Sequence, residues 1–370
     1  MSIKIKPVLS ATDRDEFIKL PYKLHSRWRA WIAPLFSTVK KDFDQARHPF
    51  FKHADIQLFL AQVNGHTLGR IAGIVDHEFI TARNKAIGQF GFFDCVEDRD
   101  ISIALFNTAS QWLRDEGVVG MIGPTNPSIH GEMGVLMDSY EIPPSIRMVW
   151  NPPYYPDLME GAGFSKAIDQ YAYRVLKDNV SQKLTEASDK VLNRCKASIR
   201  ILDMKNLDRE IKIIRSVYNQ SWKKSWGFAS ISLPEIDFFF KSLKRIIDPS
   251  LVLIAEVEGN PVGFSISLPD YNSVLKHLNG RVFPFGYPVI LWYSRKIKHL
   301  RSVLLGVLPN FRYRGIETAL YYKTWENTKD KKYDSFELSP IFEDNKKMIR
   351  AAKMIGAEKF RTYRLYQRRL

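Results

Sequence analysis

A pattern that occurs twice limits this chain to folds that can be built in duplicate. LFLAQVNGHTLGRIAGI at 58–74 returns as VLIAEVEGNPVGFSISL at 252–268, with Ala61, Val63, Gly65 and Gly69 matched by Ala255, Val257, Gly259 and Gly263. Both copies alternate like a strand, break at a turn (Asn64-Gly65 and Glu258-Gly259-Asn260-Pro261) and resume, which predicts a β-hairpin in each. A second echo lies downstream. Gly163 in MEGAGFSKAIDQYAYRV and Gly356 in KMIGAEKFRTYRLYQRRL each end a helical stretch before a tyrosine-bearing strand. Two echoes at nearly one offset point to tandem duplication of one α/β unit, with an N-terminal domain over 1–176, a polar connecting segment over 177–198 and a C-terminal domain over 199–370.

Each domain reads as strand, helix, hairpin, strand, helix, strand, helix, strand. In the first, 13–35 is expected to be largely helical, 100–116 is the second helix, and 118–123 is a short buried strand before a proline-rich stretch. In the second, helices are expected over 208–222, 315–329 and 345–355, with strands over 303–308, 335–339 and 360–367.

Composition narrows the class. The chain has 370 residues, 45% of them hydrophobic, enough for a full core in each half. No apolar run is long enough to span a bilayer and the N-terminus lacks a signal-peptide core, so a cytoplasmic protein is expected, peripheral at most to the inner membrane face. Cys95 and Cys195 make no disulfide framework or zinc spacing, and the histidines, His130 included, lack ligand company, so no metal is expected. A net charge of +15 calls for an anionic partner. Nucleic acid is disfavoured, because no recognition motif is present and the basic residues are dispersed; a phosphorylated carrier, an acidic carrier protein or an anionic membrane surface accounts for the charge equally well.

The segment LLGVLPNFRYRGIETAL at 304–320 reads as an apolar strand running into a basic turn that opens a helix. Free backbone N–H groups at such a turn, with the helix dipole behind them, favour a pyrophosphate by about 0.3–1 kcal/mol from the dipole. The Arg312-x-x-Gly315 spacing resembles the R/Q-x-x-G-x-G/A turn of the GNAT acyltransferase superfamily, with Glu317 where that pattern has Gly or Ala. The resemblance implies an α/β fold of two tandem GNAT-like units, each a mixed, mostly antiparallel splayed sheet flanked by helices. It further implies acyl transfer from acyl-CoA, acetyl-CoA or longer, or from acyl-carrier protein, as a co-substrate rather than a tightly bound cofactor, to a primary amine. Donor binding falls on Leu308, Arg312, Tyr313, Arg314, Gly315, Ile316, Glu317, Thr318 and Asn345. The first domain has DCVEDRDISIAL where the turn would be, and its carboxylates Asp94, Glu97, Asp98 and Asp100 repel a pyrophosphate. The donor is therefore assigned to the second domain.

Amide formation needs a neutral amine, and deprotonating an alkyl ammonium at pH 7 costs about 4–5 kcal/mol. Glu337 is the candidate base, with Glu343 and Asp344 behind it; a solvated strand carboxylate is the other reading. Asn345 suits a helix cap, and the resemblance adds contact with the pantetheine arm. Tyr363 and Tyr366 point to opposite faces of the last strand, and Tyr363 is the candidate proton donor to the leaving thiolate. In the first domain Asn126, Glu132, Asn151, Tyr154 and Tyr155 are candidate substrate contacts on long proline-rich loops, which otherwise serve as structural loops.

An insertion at 271–301 separates the second hairpin from the carrier strand. It has no acidic residue and interleaves Lys276, Arg281, Arg295, Lys296, Lys298 and Arg301 with large apolar side chains. That composition fits an interfacial segment or a lid over an acyl chain, or else packing between the units. The acceptor is a small-molecule or lipid amine, with a sphingoid-type base as one alternative; a non-catalytic binding protein on the same scaffold is the competitor from another class.

Overall fold

The two hairpins announced by the repeat are built alike, down to their irregularities. In the computed structural model, which describes residues 2–179, 183–284 and 286–370, Ala54–Val63 pairs antiparallel with His66–Asp76 and Val252–Val257 with Asn260–Pro269. Each ladder slips at the same repeat position, between Ala61 and Gln62 in one and Ala255 and Glu256 in the other. Each hairpin turns through two left-handed residues, Asn64-Gly65 and Glu258-Gly259, the twist that suits a two-residue connection. Outside them, Ile3–Pro7 sets Ile5 opposite Ala61 and Ala197–Ile201 sets Ile199 opposite Ala255. A one-residue slip elsewhere would turn the apolar face outward, so a shared bulge and register record one ancestral strand pattern.

The chain forms two units. The first comprises residues up to Gln170 with Leu275–Tyr287 and Arg361–Leu370; the second comprises Tyr171–Val274 and Pro288–Phe360. Two strands, Ser165–Leu176 and Glu358–Arg369, therefore begin in one unit and end in the other. In the first unit the hairpin continues into Ile87–Cys95, then Gly120–Gly123 in parallel, then the C-terminal strand, with Tyr366 opposite Gly123. In the second it continues into His299–Val307 and, in parallel, Ser335–Phe342. These are the expected mixed, mostly antiparallel sheets.

The first unit's core lies under the helix Arg99–Asp115, whose Ile101, Leu105, Phe106, Ala109 and Leu113 are buried at helical spacing. Phe106 stacks on Phe93 with ring centres 4.6 Å apart. In the second unit the helix Ile316–Glu326 buries Ile316, Ala319, Leu320 and Tyr321, and Leu207–Trp222 buries Ile211, Ile214, Val217 and Tyr218.

Three expectations change. The helix expected over 13–35 ends at Leu24; a capping box at Ser10 and Asp13 opens it, and the turn after it carries the His25 ring into the core, hydrogen-bonded to Asp94 at 2.6 Å. The helix Leu233–Leu243 was not foreseen, although Ser232 and Glu235 form the capping box that the S-x-x-E spacing signals. The proline-rich stretch holds a small ladder, Thr125–Asn126 against Glu132–Met133, and Val135–Leu136 pairs with the C-terminal strand.

Candidate active site

Two parallel strands part at the centre of the second unit. Among the described residues the register between His299–Val307 and Ser335–Phe342 runs from His299/Ser335 to Ser302/Leu338 and ends there. Beyond that rung no further pairing joins the two strands among the described residues; the Leu305 carbonyl accepts from Trp222 Nε1 at 3.3 Å and the Ser339 carbonyl from Arg301 Nη2 at 3.1 Å.

At the far end of the first of these strands, Gly315 begins the helix Ile316–Glu326 with φ +94° and no side-chain cap. The turn expected to hold a pyrophosphate is thus present, but its side chains are committed differently from the expectation. Arg312 faces inward, its Nε donating to the Val307 carbonyl at 3.0 Å and its Nη2 to the Ser221 carbonyl. Tyr313 is exposed with φ +65°, and Lys347 Nζ lies 3.3 Å from its ring centre. The Arg314 carbonyl accepts from Arg194 Nη2 at 2.8 Å. Leu308 N–H donates to the Val262 carbonyl at 2.8 Å, Ile316 is buried and Thr318 is half-buried. A Cβ on Gly315 would stand 2.7 Å from Val191 Cγ2.

The departure at Glu317 has a physical reading. Its carboxylate accepts hydrogen bonds from its own N–H and from that of Tyr313, while burial, the largest influence, pushes its pKa upward. The chain's own carboxylate therefore occupies N–H groups of this turn. A phosphate at the turn would have to displace it. Because protonation weakens the carboxylate as an acceptor, donor affinity is expected to fall as pH rises through the raised Glu317 pKa; stability falls in the same direction, since the group's contribution is fully present only below its unfolded value. Glu317→Gln should lower the donor KM about three- to tenfold and flatten that pH slope. An unchanged KM and slope would remove the competition.

Glu337 stands on the next-to-last rung before the parting, opposite Arg301. Both are buried, at 4% and 2% exposure. Ser339 Oγ donates to the Glu337 carboxylate at 2.6 Å and accepts from Arg301 Nε at 2.9 Å, with that Nε 4.0 Å from the carboxylate. The expectation of a solvated strand carboxylate is not met. Tyr321, one turn after Glu317, shares a hydrogen bond with Ser302 on the last rung; burial and then the Glu317 charge raise its phenol pKa well above the ordinary value. Neither Tyr321 nor Ser302 was singled out in the sequence, where only the four-residue spacing from Glu317 could have signalled the first. Asn345 caps Lys346–Met354 by accepting from Met348 N–H at 3.2 Å, and is exposed.

The first unit repeats the parting and fills it. Its parallel register ends at Gln89/Ile122. There the Phe92 N–H donates to Asn126 Oδ1 at 2.7 Å, and a Cβ on Gly91 would lie 1.8 Å from the Thr125 carbonyl oxygen. The following helix is capped by Asp98, which accepts from Ile101 N–H at 3.1 Å, so its anion site is already used. The remaining candidates here are held structurally as well. Asn151 bonds Leu136 N–H at 2.6 Å and is buried. The Tyr154 hydroxyl donates to the Cys95 carbonyl at 2.9 Å and that of Tyr155 to Asp94 at 3.2 Å. Burial opposes the charge on Asp94, but Arg70 and His25 outweigh it and hold its pKa low. Glu132 stands opposite Asn126, and burial followed by the Glu132 charge pushes Asp42, a residue the sequence did not single out, up to about 7. Tyr363 is buried opposite Leu136 in this same unit.

No family model matches the chain. The chain is 31% identical to the bacterial ceramide synthase of Caulobacter vibrioides, spanning 100% of this chain and 98% of that protein. It is 29% identical to protein YghO of Escherichia coli, spanning 99% and 95%. Among solved structures, a tandem GNAT protein from the clavulanic acid biosynthesis pathway aligns with TM-score 0.59 at 11% identity over 100% of this chain and 98% of its own. A GCN5-related N-acetyltransferase from Sphaerobacter thermophilus aligns with TM-score 0.54 at 12% identity over 99% and 95%. The structural likeness shows the tandem GNAT fold, and the end-to-end sequence relation adds the enzyme class: the chain belongs to the family of GNAT-fold N-acyltransferases that includes the Caulobacter bacterial ceramide synthase.

Proposed function

We propose that this N-acyltransferase takes a fatty acyl group from acyl-CoA and places it on the primary amine of a long-chain, sphingoid-type base. The observation that carries the donor half is the pair of parted strands beside the glycine-opened helix N-terminus in the second unit. The matching gap in the first unit is closed by Asn126 and Thr125, which supports donor binding in the second alone. The acceptor half is supported by the end-to-end relation to a ceramide synthase.

In this reading the pantetheine arm lies along the strand backbone beyond Ser302 and Leu338, and the N–H groups at the start of the helix receive the pyrophosphate once Glu317 yields. The neutral amine nitrogen attacks the thioester carbonyl, the C–N bond forms, the C–S bond breaks, and the proton that the nitrogen sheds as the amide forms goes to the leaving thiolate. Glu337 receives the ammonium proton, with Ser339 and Arg301 orienting its carboxylate. Incubating the protein with palmitoyl-CoA and either a sphingoid base or a short alkyl amine, and following the amide by mass spectrometry, tests the assignment. The sphingoid amide should form at least about tenfold faster, as expected when a long chain supplies binding energy. Equal rates would return the acceptor to a generic primary amine, and an acyl-carrier thioester outpacing the CoA ester would change the donor.

A further inference from the structure

The helix Gly286–Ser294, sequence GYPVILWYS, buries only its glycine. Tyr287, Pro288, Leu291 and Trp292 are exposed, as are Arg295 and Lys296 just after it. Positions 287, 288, 291, 292 and 295 recur at the three- and four-residue spacing that puts side chains on one side of a helix. The large ones are well out of the core: Tyr287 is 66% exposed, Leu291 61% and Trp292 60%. Single exposed apolar side chains are ordinary, but a row of them at helical spacing marks a contact surface.

The charge around this row has one sign. From 271 to 301 there is no acidic residue, and Arg281, Arg295, Lys296 and Lys298 are exposed. Lys296 Nζ lies 4.7 Å from the Trp292 ring centre and 5.5 Å from that of Tyr293, so the ammonium rides on the aromatic bodies. Aromatic and aliphatic side chains beside basic heads suit the boundary of a lipid layer, where rings and Leu enter the acyl edge and cations meet phosphates. A second copy of this chain would bring basic residues against basic residues. An acidic carrier protein answers the charge but leaves Tyr287, Leu291 and Trp292 without an apolar counterpart.

We propose that this helix face docks the protein on an anionic membrane surface, with Tyr287, Leu291 and Trp292 inserted at the interface and Arg295 and Lys296 on headgroup phosphates. The inference does not depend on which amine is acylated. It is tested on the full chain without substrate, by sedimentation with vesicles of phosphatidylglycerol and phosphatidylethanolamine against vesicles of phosphatidylcholine. Binding to the anionic vesicles should be at least about tenfold stronger and should weaken with salt. Leu291→Ser with Trp292→Ser, and separately Arg295→Glu with Lys296→Glu, should each reduce it about tenfold or more at unchanged thermal stability, because these side chains are exposed. Brominated lipid should quench tryptophan fluorescence less in Trp292→Phe than in the parent. The proposal is overturned if the parent does not sediment with anionic vesicles, if both double variants bind like the parent, or if the same variants instead abolish binding to acyl-carrier protein or self-association measured by sedimentation velocity.

Discussion

Arg301→Met should destabilise the second unit by about 3–5 kcal/mol, because it leaves the Glu337 carboxylate buried without its arginine. The side chain is fully enclosed and bridges to Glu337 through the Ser339 hydroxyl, so solvent does not replace it. Denaturant midpoints of the parent and variant read the loss directly. The double variant Arg301→Met, Glu337→Leu should recover most of it, since an apolar pair of similar volume often matches a buried ion pair in stability. Activity separates structure from chemistry. If Glu337 accepts the amine proton, the stabilised double variant stays inactive, and Glu337→Gln, which keeps shape, loses turnover most at low pH, where the free amine is scarcest. Recovery of turnover with stability would leave Glu337 a purely structural residue.

Gly315→Val is expected to cost about 2–5 kcal/mol and to abolish stabilisation by acyl-CoA. Two effects add. The residue sits at φ +94°, where a β-branched side chain is strained, and its new Cβ would overlap Val191 Cγ2 at 2.7 Å. Pairing it with Val191→Ala should relieve the overlap and restore part of the stability. Ligand protection should stay lost, because the strained turn no longer aims its N–H groups at a phosphate. A shift in thermal midpoint with added acyl-CoA in the double variant equal to that of the parent would dissociate this turn from donor binding. Here the tertiary structure adds a reason that the sequence does not hold: Val191 stands beside Gly315.

Local pattern was enough to recover both hairpins, the glycines that end the helices before the long strands, and the cap at Asn345, because each is decided by turn residues and by alternation within a few positions. The same local rules were present at Ser232 and Glu235, and that helix was legible though not foreseen. The segment after Leu24 was not legible. Its apolar and aromatic residues continue a helical pattern, yet His25 turns inward to Asp94, a partner sixty-nine residues away.

The candidate site divides along the same line. By itself the sequence determined the duplicated α/β architecture and the turn from Arg312 to Gly315, because periodicity and spacing are properties of contiguous residues. Only the tertiary structure decided what each side chain does there. Arg312 holds backbone carbonyls, Glu317 covers the N–H groups of the turn, Glu337 is enclosed with Arg301, and Asn126 closes the first unit's gap. The physical reason is common to all four. A buried polar group must find a partner, and which partner lies within hydrogen-bond reach is set by strands and helices far apart in the chain.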